Sequence, residues 1–221
     1  MRYPPNFAAD FLGSIEWSNP LTAKRILHSS TFHALFRSEA PGDEEALTVA
    51  DLTFLFTDLK NSTSMYDEIG DVTAYNVVRG HFGVIADAVS HHNGVVIKTI
   101  GDAVMATFLT PVDAVTAALQ MVKDIGEIAT GSADKLELKV GVHRGHSIAV
   151  NLNERLDYFG QNVNIAARTQ QLAEASEVLI TQDVADVDGV AALLADARVE
   201  KISGVLRGVT EEIPVWRVTA Q

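Results

Sequence analysis

Val95-Val96-Ile97-Lys98-Thr99-Ile100-Gly101-Asp102-Ala103-Val104-Met105-Ala106-Thr107-Phe108 is the stretch on which the fold turns. Two apolar, β-branched runs flank Gly101-Asp102, a pair suited to a two-residue turn whose positions need φ > 0, so Asp102 is expected at the tip of a hairpin. Upstream, Leu52-Thr53-Phe54-Leu55-Phe56-Thr57 reads as a fully buried strand that ends on Asp58 and runs into Leu59-Lys60-Asn61-Ser62-Thr63. If strands 52–57 and 95–100 are joined by the intervening helix as a right-handed parallel crossover, strand 103–108 fits between them, antiparallel to both. That split βαβ order carries the end of the first strand to the hairpin tip. Asp58 and Asp102 then meet, an arrangement that a divalent cation requires and that an apolar core does not tolerate unpaired.

Helical patterning over 61–69 and 72–91 is interrupted at Gly70-Asp71. His91-His92-Asn93-Gly94 closes the second piece with basic side chains in the last turn and Gly94 as the expected C-cap glycine, and the two histidines answer to the helix dipole rather than to a metal. Residues 111–128 give an amphipathic helix with Val112, Val115, Ala118, Leu119 and Val122 on its core face. Residues 136–142 alternate as a fourth strand. The order β-α-β-β-α-β is an α+β, ferredoxin-like (palm-like) core. Beyond it, 146–151 and 156–160 read as strands about a turn near Asn153-Glu154, 162–173 as a helix and 178–181 as a short strand. Stretches 197–202 and 213–218 are the additional C-terminal strands that close the sheet. His143-Arg144-Gly145-His146 reads as a strand-end turn. The histidine spacing is compatible with a metal pair, and the turn is the simpler explanation.

Residues 1–48 differ in character from the rest of the chain. Tyr3-Pro4-Pro5-Asn6, Ser18-Asn19-Pro20 and Ala40-Pro41-Gly42-Asp43 punctuate two short apolar-periodic stretches, 7–15 and 21–36. They read as a partly helical N-terminal extension packed on the main domain, 49–221, or as the end of an upstream regulatory region.

The chain has 221 residues, 47% of them hydrophobic, enough for one good-sized core and an appendage. Without cysteine, disulfides and thiolate metal sites are excluded and a reducing, cytoplasmic location is expected. No apolar run approaches the ~20 residues of a spanning helix, and no signal-peptide core is visible near the start. The net charge of −12 argues against a nucleic-acid-binding surface. A polyanionic ligand has to bring metal cations with it.

The turn after Asp58 leads into a helix N-terminus, where Asn61, Ser62 and Thr63 supply backbone N–H groups suited to an anion. Taken singly, Ser62 or Thr63 is an ordinary N-cap and Asp102 an ordinary turn residue; at converging strand ends they favour a site. Asn164 and Arg168, spaced i, i+4, share one face of a helix that packs through Val163, Ala166 and Ala167. A solvated face explains that pair as simply. Lys98 inside an otherwise apolar strand is costly enough to want a function.

Four ordered motifs carry a family resemblance: Phe56-Thr57-Asp58-Leu59-Lys60-Asn61-Ser62-Thr63, Lys98-Thr99-Ile100-Gly101-Asp102, Val140-Gly141-Val142-His143, and Asp157-Tyr158-Phe159-Gly160-Gln161-Asn162-Val163-Asn164-Ile165-Ala166-Ala167-Arg168. Over residues 50–220 the chain resembles the catalytic domain of class III nucleotidyl cyclases. The resemblance implies that Asp58 and Asp102 are the metal-binding aspartates, with the Leu59 carbonyl a further ligand. It implies that Lys98 and Asp157 read the purine, and that Asn164 orients the ribose while Arg168 stabilises the transition state. Lys60, Asn61, Ser62 and Thr63 fall beside the phosphates, and Arg207, in Leu206-Arg207-Gly208-Val209, is the candidate for the terminal phosphates, with Lys201 nearby. Two Mg²⁺ or Mn²⁺ ions per site are implied, lowering the pKa of the ribose 3′-hydroxyl and clamping the triphosphate.

A lysine only donates, which suits a ring-nitrogen acceptor of adenine, and a carboxylate only accepts, which suits the exocyclic amine. Guanine reverses both needs, so ATP is the expected substrate, with cyclic AMP and pyrophosphate as products. The resemblance also implies a head-to-tail homodimer with two shared sites and an inactive monomer. Arg144 stands where small or polar residues are usual in the family. A guanylate cyclase, or a non-catalytic dimerisation or sensory module on the same fold, is the alternative; a diguanylate cyclase is disfavoured by the lack of a Gly-Gly-Asp/Glu-Glu-Phe run.

Overall fold

The computed structural model describes residues 25, 28, 29, 47–60, 62–128, 136–152, 155–195, 197–202 and 213–219. The N-terminal extension expected over 1–48 lies almost wholly outside them, as do Asn61, the Asn153-Glu154 turn, the Thr63 side chain and the segment carrying Arg207.

Strand β1 (Leu47–Leu59) is followed by α1 (Ser62–Ile69) and α2 (Asp71–His91), then by the hairpin β2 (Val95–Ile100) and β3 (Ala103–Phe108). Helix α3 (Pro111–Ile125) leads to β4 (Leu138–Leu152) and β5 (Arg155–Phe159). Helix α4 (Gln161–Leu172), β6 (Glu177–Thr181), two short helices α5 (Gln182–Ala185) and α6 (Asp188–Leu193), β7 (Arg198–Ile202) and β8 (Val215–Thr219) complete the described chain.

The strands form an eight-stranded sheet in the order β2-β3-β1-β4-β6-β8-β7, with β5 paired to β4. Strand β3 lies between β2 and β1 and is antiparallel to both, as the split βαβ order requires. The mixed α+β, ferredoxin-like arrangement holds. Strand β1 reads as a continuous apolar run because both its faces are covered. Leu55 and Leu59 enter the core under α2 and α3 with Ile85, Val115 and Met121, while Leu52, Phe54 and Phe56 enter a second core with Met105, Val163 and Ala166 of α4.

Three local expectations change. Residues 138–152 form one continuous strand, so His143-Arg144-Gly145-His146 is mid-strand rather than a turn. The reason is pairing: β1 starts at Leu47, earlier than its apolar run, and hydrogen-bonds β4 from Leu138 to Ala149, with a bulge between Val49 and Leu52 where Asp51 adopts φ 56°. Arg144 meets that bulge, its guanidinium 3.4 Å from Asp51. At the end of α2 the left-handed residue is Asn93 (φ 57°), not Gly94, whose bare Cα instead lies against the Phe108 ring. In the hairpin only Gly101 takes positive φ, 64°; Asp102 does not.

Candidate active site

Asp58 and Asp102 converge at one end of the sheet. Thr57 pairs with Val104 on β3, and Thr57 Oγ1 accepts from the Val104 N–H, so the β1 terminus is clamped beside the tip that Asp102 occupies. The Asp58 carboxyl is held above the ordinary carboxylate range, first by burial and then by the negative charge of Asp102; Lys139, its partner on β4, and Gln170 pull the other way. Asp102 Oδ2 is buried with no hydrogen-bond partner. His81, fully buried on α2, places Nε2 3.1 Å from the Asp102 backbone carbonyl and braces the tip from behind.

These residues fit a hard divalent cation. An orphaned, buried carboxylate oxygen beside a second crowded carboxylate is a donor set that lacks its electrophile, and oxygen donors suit Mg²⁺ or Mn²⁺. Leu59 is buried in the core, so only its backbone carbonyl is available to such an ion. Among the described residues no group of three or more His, Cys, Asp and Glu side chains is arranged to hold a metal. A site built on two carboxylates leaves coordination positions for water and phosphate oxygens, as Mg²⁺ sites do.

On the other side of the hairpin, Lys98 Nζ donates to Asp157 Oδ2 at 2.5 Å. The lysine is brought there by a bulge between Val96 and Lys98, which turns the consecutive side chains Ile97 and Lys98 toward the same hollow. Asp157 is 4% exposed, and its other oxygen accepts from the Tyr158 N–H. An open hollow of about 400 Å³ lies here, lined by the apolar Ile97, Leu152 and Leu156, by the donors Lys98 and Arg155 and by the acceptor Asp157. A larger hollow of about 490 Å³, lined among others by Asp87, His91, His92 and Asp124, opens between α2 and α3 away from both carboxylate sites.

Helix α4 presents Asn164, exposed, and Arg168, half-buried, on the side opposite Val163 and Ala166. Neither enters an ion pair among the described residues. Lys60 is placed differently: its backbone N–H donates to Glu137 O at 2.9 Å and its ammonium lies 3.7 Å from the Glu137 carboxylate. That N–H is therefore occupied, and an anion at this turn has the α1 N-terminus, beginning at Ser62, to meet it.

Two residues at these sites carry no signal in the sequence: Gln170, which comes to Asp58 from the far end of α4, and Arg155, which borders the hollow beside Asp157. Both depend on how α4 and β5 lie on β4.

The family model for the adenylate and guanylate cyclase catalytic domain matches residues 45–202. The chain belongs to this family. Among curated proteins, the cyclase domain is similar to adenylate cyclase 2 of Rhizobium meliloti, with 29% identity over 182 residues, covering 74% of this chain and 48% of that protein. It is also similar to an adenylate cyclase of Mycosarcoma maydis, again 29% identical over 182 residues, covering 67% of this chain and 7% of that protein. The cyclase chain thus aligns with less than half of these relatives' length. Among solved structures it resembles the adenylyl cyclase CyaB from P. aeruginosa (TM-score 0.69, 22% identity, covering 80% of this chain and 97% of that one). It equally resembles the guanylate cyclase domain of RhGC from Catenaria anguillulae (TM-score 0.70, 17% identity, 80% and 100% covered). Among the described residues of the cyclase no helix is long and apolar enough to cross a membrane.

Proposed function

We propose that this cyclase domain is an adenylate cyclase, converting ATP to 3′,5′-cyclic AMP and pyrophosphate. The observation that carries the reading is the convergence of Asp58 and Asp102, with a buried carboxylate oxygen left unpartnered. These two carboxylates and the Leu59 carbonyl would hold Mg²⁺ or Mn²⁺, which when bound supplies positive charge for the triphosphate and acidifies the ribose 3′-hydroxyl.

The chain's own groups do the positioning. Lys98 donates to a ring nitrogen of adenine and Asp157 accepts from its exocyclic amine, in place of part of their mutual ion pair. Asn164 orients the ribose so that its 3′-oxygen faces the α-phosphorus. In the reaction the 3′-O–P bond forms, the bond to the pyrophosphate oxygen breaks with its electron pair leaving on pyrophosphate, and the hydroxyl proton passes to solvent water. Arg168, in no ion pair among the described residues, donates to the α-phosphate oxygens as charge builds there. Ser62 and Thr63, at the start of α1, are assigned to the phosphates, as are Asn61 and Arg207, which lie outside the described residues.

The purine and transition-state groups of one subunit are read as completing the metal site of another in a head-to-tail homodimer. Support comes from exposed apolar side chains on the β4–β5 arm: Ile148, Leu152 and Phe159 are 41%, 46% and 49% exposed on the face that also bears Lys98, whose Nζ lies 5.9 Å from the Phe159 ring centroid. The extension expected over 1–48 is read as lying outside the catalytic domain only up to the start of the family match at residue 45, since Leu47 and Thr48 already pair with β4, and a cytoplasmic location fits the cysteine-free sequence.

The test is product identification with the purified chain, Mn²⁺ or Mg²⁺, and ATP or GTP in separate reactions. Cyclic AMP formed in preference to cyclic GMP is expected. Preferential cyclic GMP would reassign the base specificity, and no cyclic nucleotide from a verified dimer would refute the enzymatic reading.

A further inference from the structure

We infer that His143 is a positioning residue that fixes the register of α4 on β4 and thereby the places of Asn164 and Arg168. The inference rests on the cyclase reading for the roles of those two residues, and on contacts within this chain for the rest.

Alternation along β4 puts Gly141, His143 and Gly145 on one face, beneath α4. A Cβ on Gly145 would fall 2.3 Å from Asn162 Cγ, and one on Gly141 would fall 2.1 Å from the Gln170 backbone nitrogen. The helix therefore rests on two bare strand positions. Four strand residues rise about 13 Å and eight helix residues about 12 Å, so the two contacts match when α4 lies along β4 in the opposite direction. Bare glycines allow this close approach, but a smooth surface does not choose one register over the next.

His143, between them, makes the choice. It is 1% exposed, with Nε2 3.0 Å from Asn162 Oδ1 and Nδ1 2.8 Å from Thr181 Oγ1. Asn162 Nδ2 donates to the His146 carbonyl at 2.8 Å, which orients the amide so that Oδ1 is the atom facing His143. Oδ1 can only accept, so Nε2 carries the proton, and Nδ1 accepts from the Thr181 hydroxyl. Both ring nitrogens have a partner, and the ring is locked between β6 and the first turn of α4. Burial lowers the affinity of His143 for a second proton, while Asn162 and the Asp183 carboxylate 3.9 Å away raise it. The net shift is downward, in keeping with a neutral ring. A slip of one residue along the helix turns it by about 100°. Such a slip would move Asn164 and Arg168 off their common direction, and no ion pair among the described residues holds Arg168 in place.

The ordinary alternative is a buried histidine that serves stability alone, and the experiment separates the two. His143→Ala risks misfolding, so Asn162→Ala and Thr181→Val carry the test, in the full chain with ATP and Mn²⁺. Asn162→Ala removes the acceptor on α4. It is expected to lower kcat by about 10–10²-fold, the order expected of a misplacement near 1 Å, with KM for ATP little changed, because Lys98 and Asp157 stand on β2 and β5. Asn162→Asp keeps an acceptor for Nε2 and is expected to recover much of that loss. Thr181→Val leaves Nδ1 without its donor and the ring anchored through Nε2 alone, and is expected to lower kcat without altering KM. Hydrogen exchange of the α4 amides is expected to rise in Asn162→Ala relative to those of α2 and α3.

Wild-type kcat in folded Asn162→Ala, or no rescue by Asn162→Asp, overturns the inference. So does α4 exchange that rises no more than exchange elsewhere. If the wild-type chain makes no cyclic nucleotide, the cyclase reading fails instead, and the exchange measurement alone decides whether His143 sets the helix.

Discussion

Lys98 of β2 and Asp157 of β5 close an ion pair of 2.5 Å in which the carboxylate is buried and the lysine side chain keeps 37% of its exposure. Asp157 has a second partner in the Tyr158 N–H, so it survives loss of the lysine as a half-satisfied carboxylate. Lys98→Ala is expected to cost about 1–3 kcal/mol of stability, the scale for leaving a buried acceptor unpartnered. It should also lower the preference for ATP over GTP by at least about tenfold, equivalent to one lost interaction of about 1.4 kcal/mol. Urea unfolding and competition between the two nucleotides check both, and an unchanged preference would remove Lys98 from base recognition.

Arg168 makes no ion pair among the described residues, so its removal exposes no buried partner there. Arg168→Ala is expected to reduce kcat by about 10²–10³-fold, as losses of charge-stabilising donors do, while changing stability by no more than about 0.5 kcal/mol. Paired kinetic and thermal measurements test this. A large stability loss would recast Arg168 as a structural residue.

Asp58 has its carboxyl raised, chiefly by burial and next by Asp102. A carboxyl raised in the folded state contributes stability that is complete below its unfolded value of about 3.9 and is lost as pH rises through the folded value. At neutral pH, without metal, the crowded pair therefore costs stability. Asp58→Asn is expected to raise the Tm of the metal-free protein at pH 7, and Mn²⁺ to raise the Tm of the wild type but not of the variant. Saturation at a hundred times Kd stabilises by about 2.7 kcal/mol. Melts in EDTA and in Mn²⁺ read both; an equal metal-induced rise in the variant would take Asp58 out of the metal site.

His81 and His143 are both lowered, in each case mainly by burial. A lowered histidine contributes stability present above its unfolded value of about 6.5 and lost as pH falls toward the folded value, because the unfolded chain takes up protons that the native state refuses. In metal-free Asp58→Asn, which removes the opposing contribution of the raised carboxyl, the urea midpoint should be nearly level above pH 7 and fall below pH 6.5. A midpoint that rises on acidification would contradict the neutral, buried state of these rings.

Much of the sheet could be read from the chain because its determinants are local. The β1 apolar run, the glycine at the hairpin and the spacing of α2 fix the order β2-β3-β1, and with it the approach of Asp58 to Asp102. The length of β4 could not be read: Gly145 and two histidines look like a turn, and only pairing with the early part of β1 keeps the strand extended there. The His143 network was hidden for the same reason, since its partners Asn162 and Thr181 lie 19 and 38 positions away. The bulge that delivers Lys98 was equally invisible, because alternation assigns Ile97 and Lys98 to opposite faces and one extra residue puts both on the same side. Short helices α5 and α6 were missed because four- and six-residue segments carry too little periodicity to register.

The most direct test of the paired carboxylates is the rate of cyclic AMP formation by wild type and Asp102→Asn at saturating ATP and Mn²⁺, with folding of both verified. The wild type is predicted to turn over, and Asp102→Asn, which keeps the size of the side chain and removes its charge, to lose at least about 10²-fold, the order seen when charge stabilisation of a transition state is removed. Cyclic AMP from Asp102→Asn at the wild-type rate would contradict the assignment of Asp58 and Asp102 as the seat of the reaction.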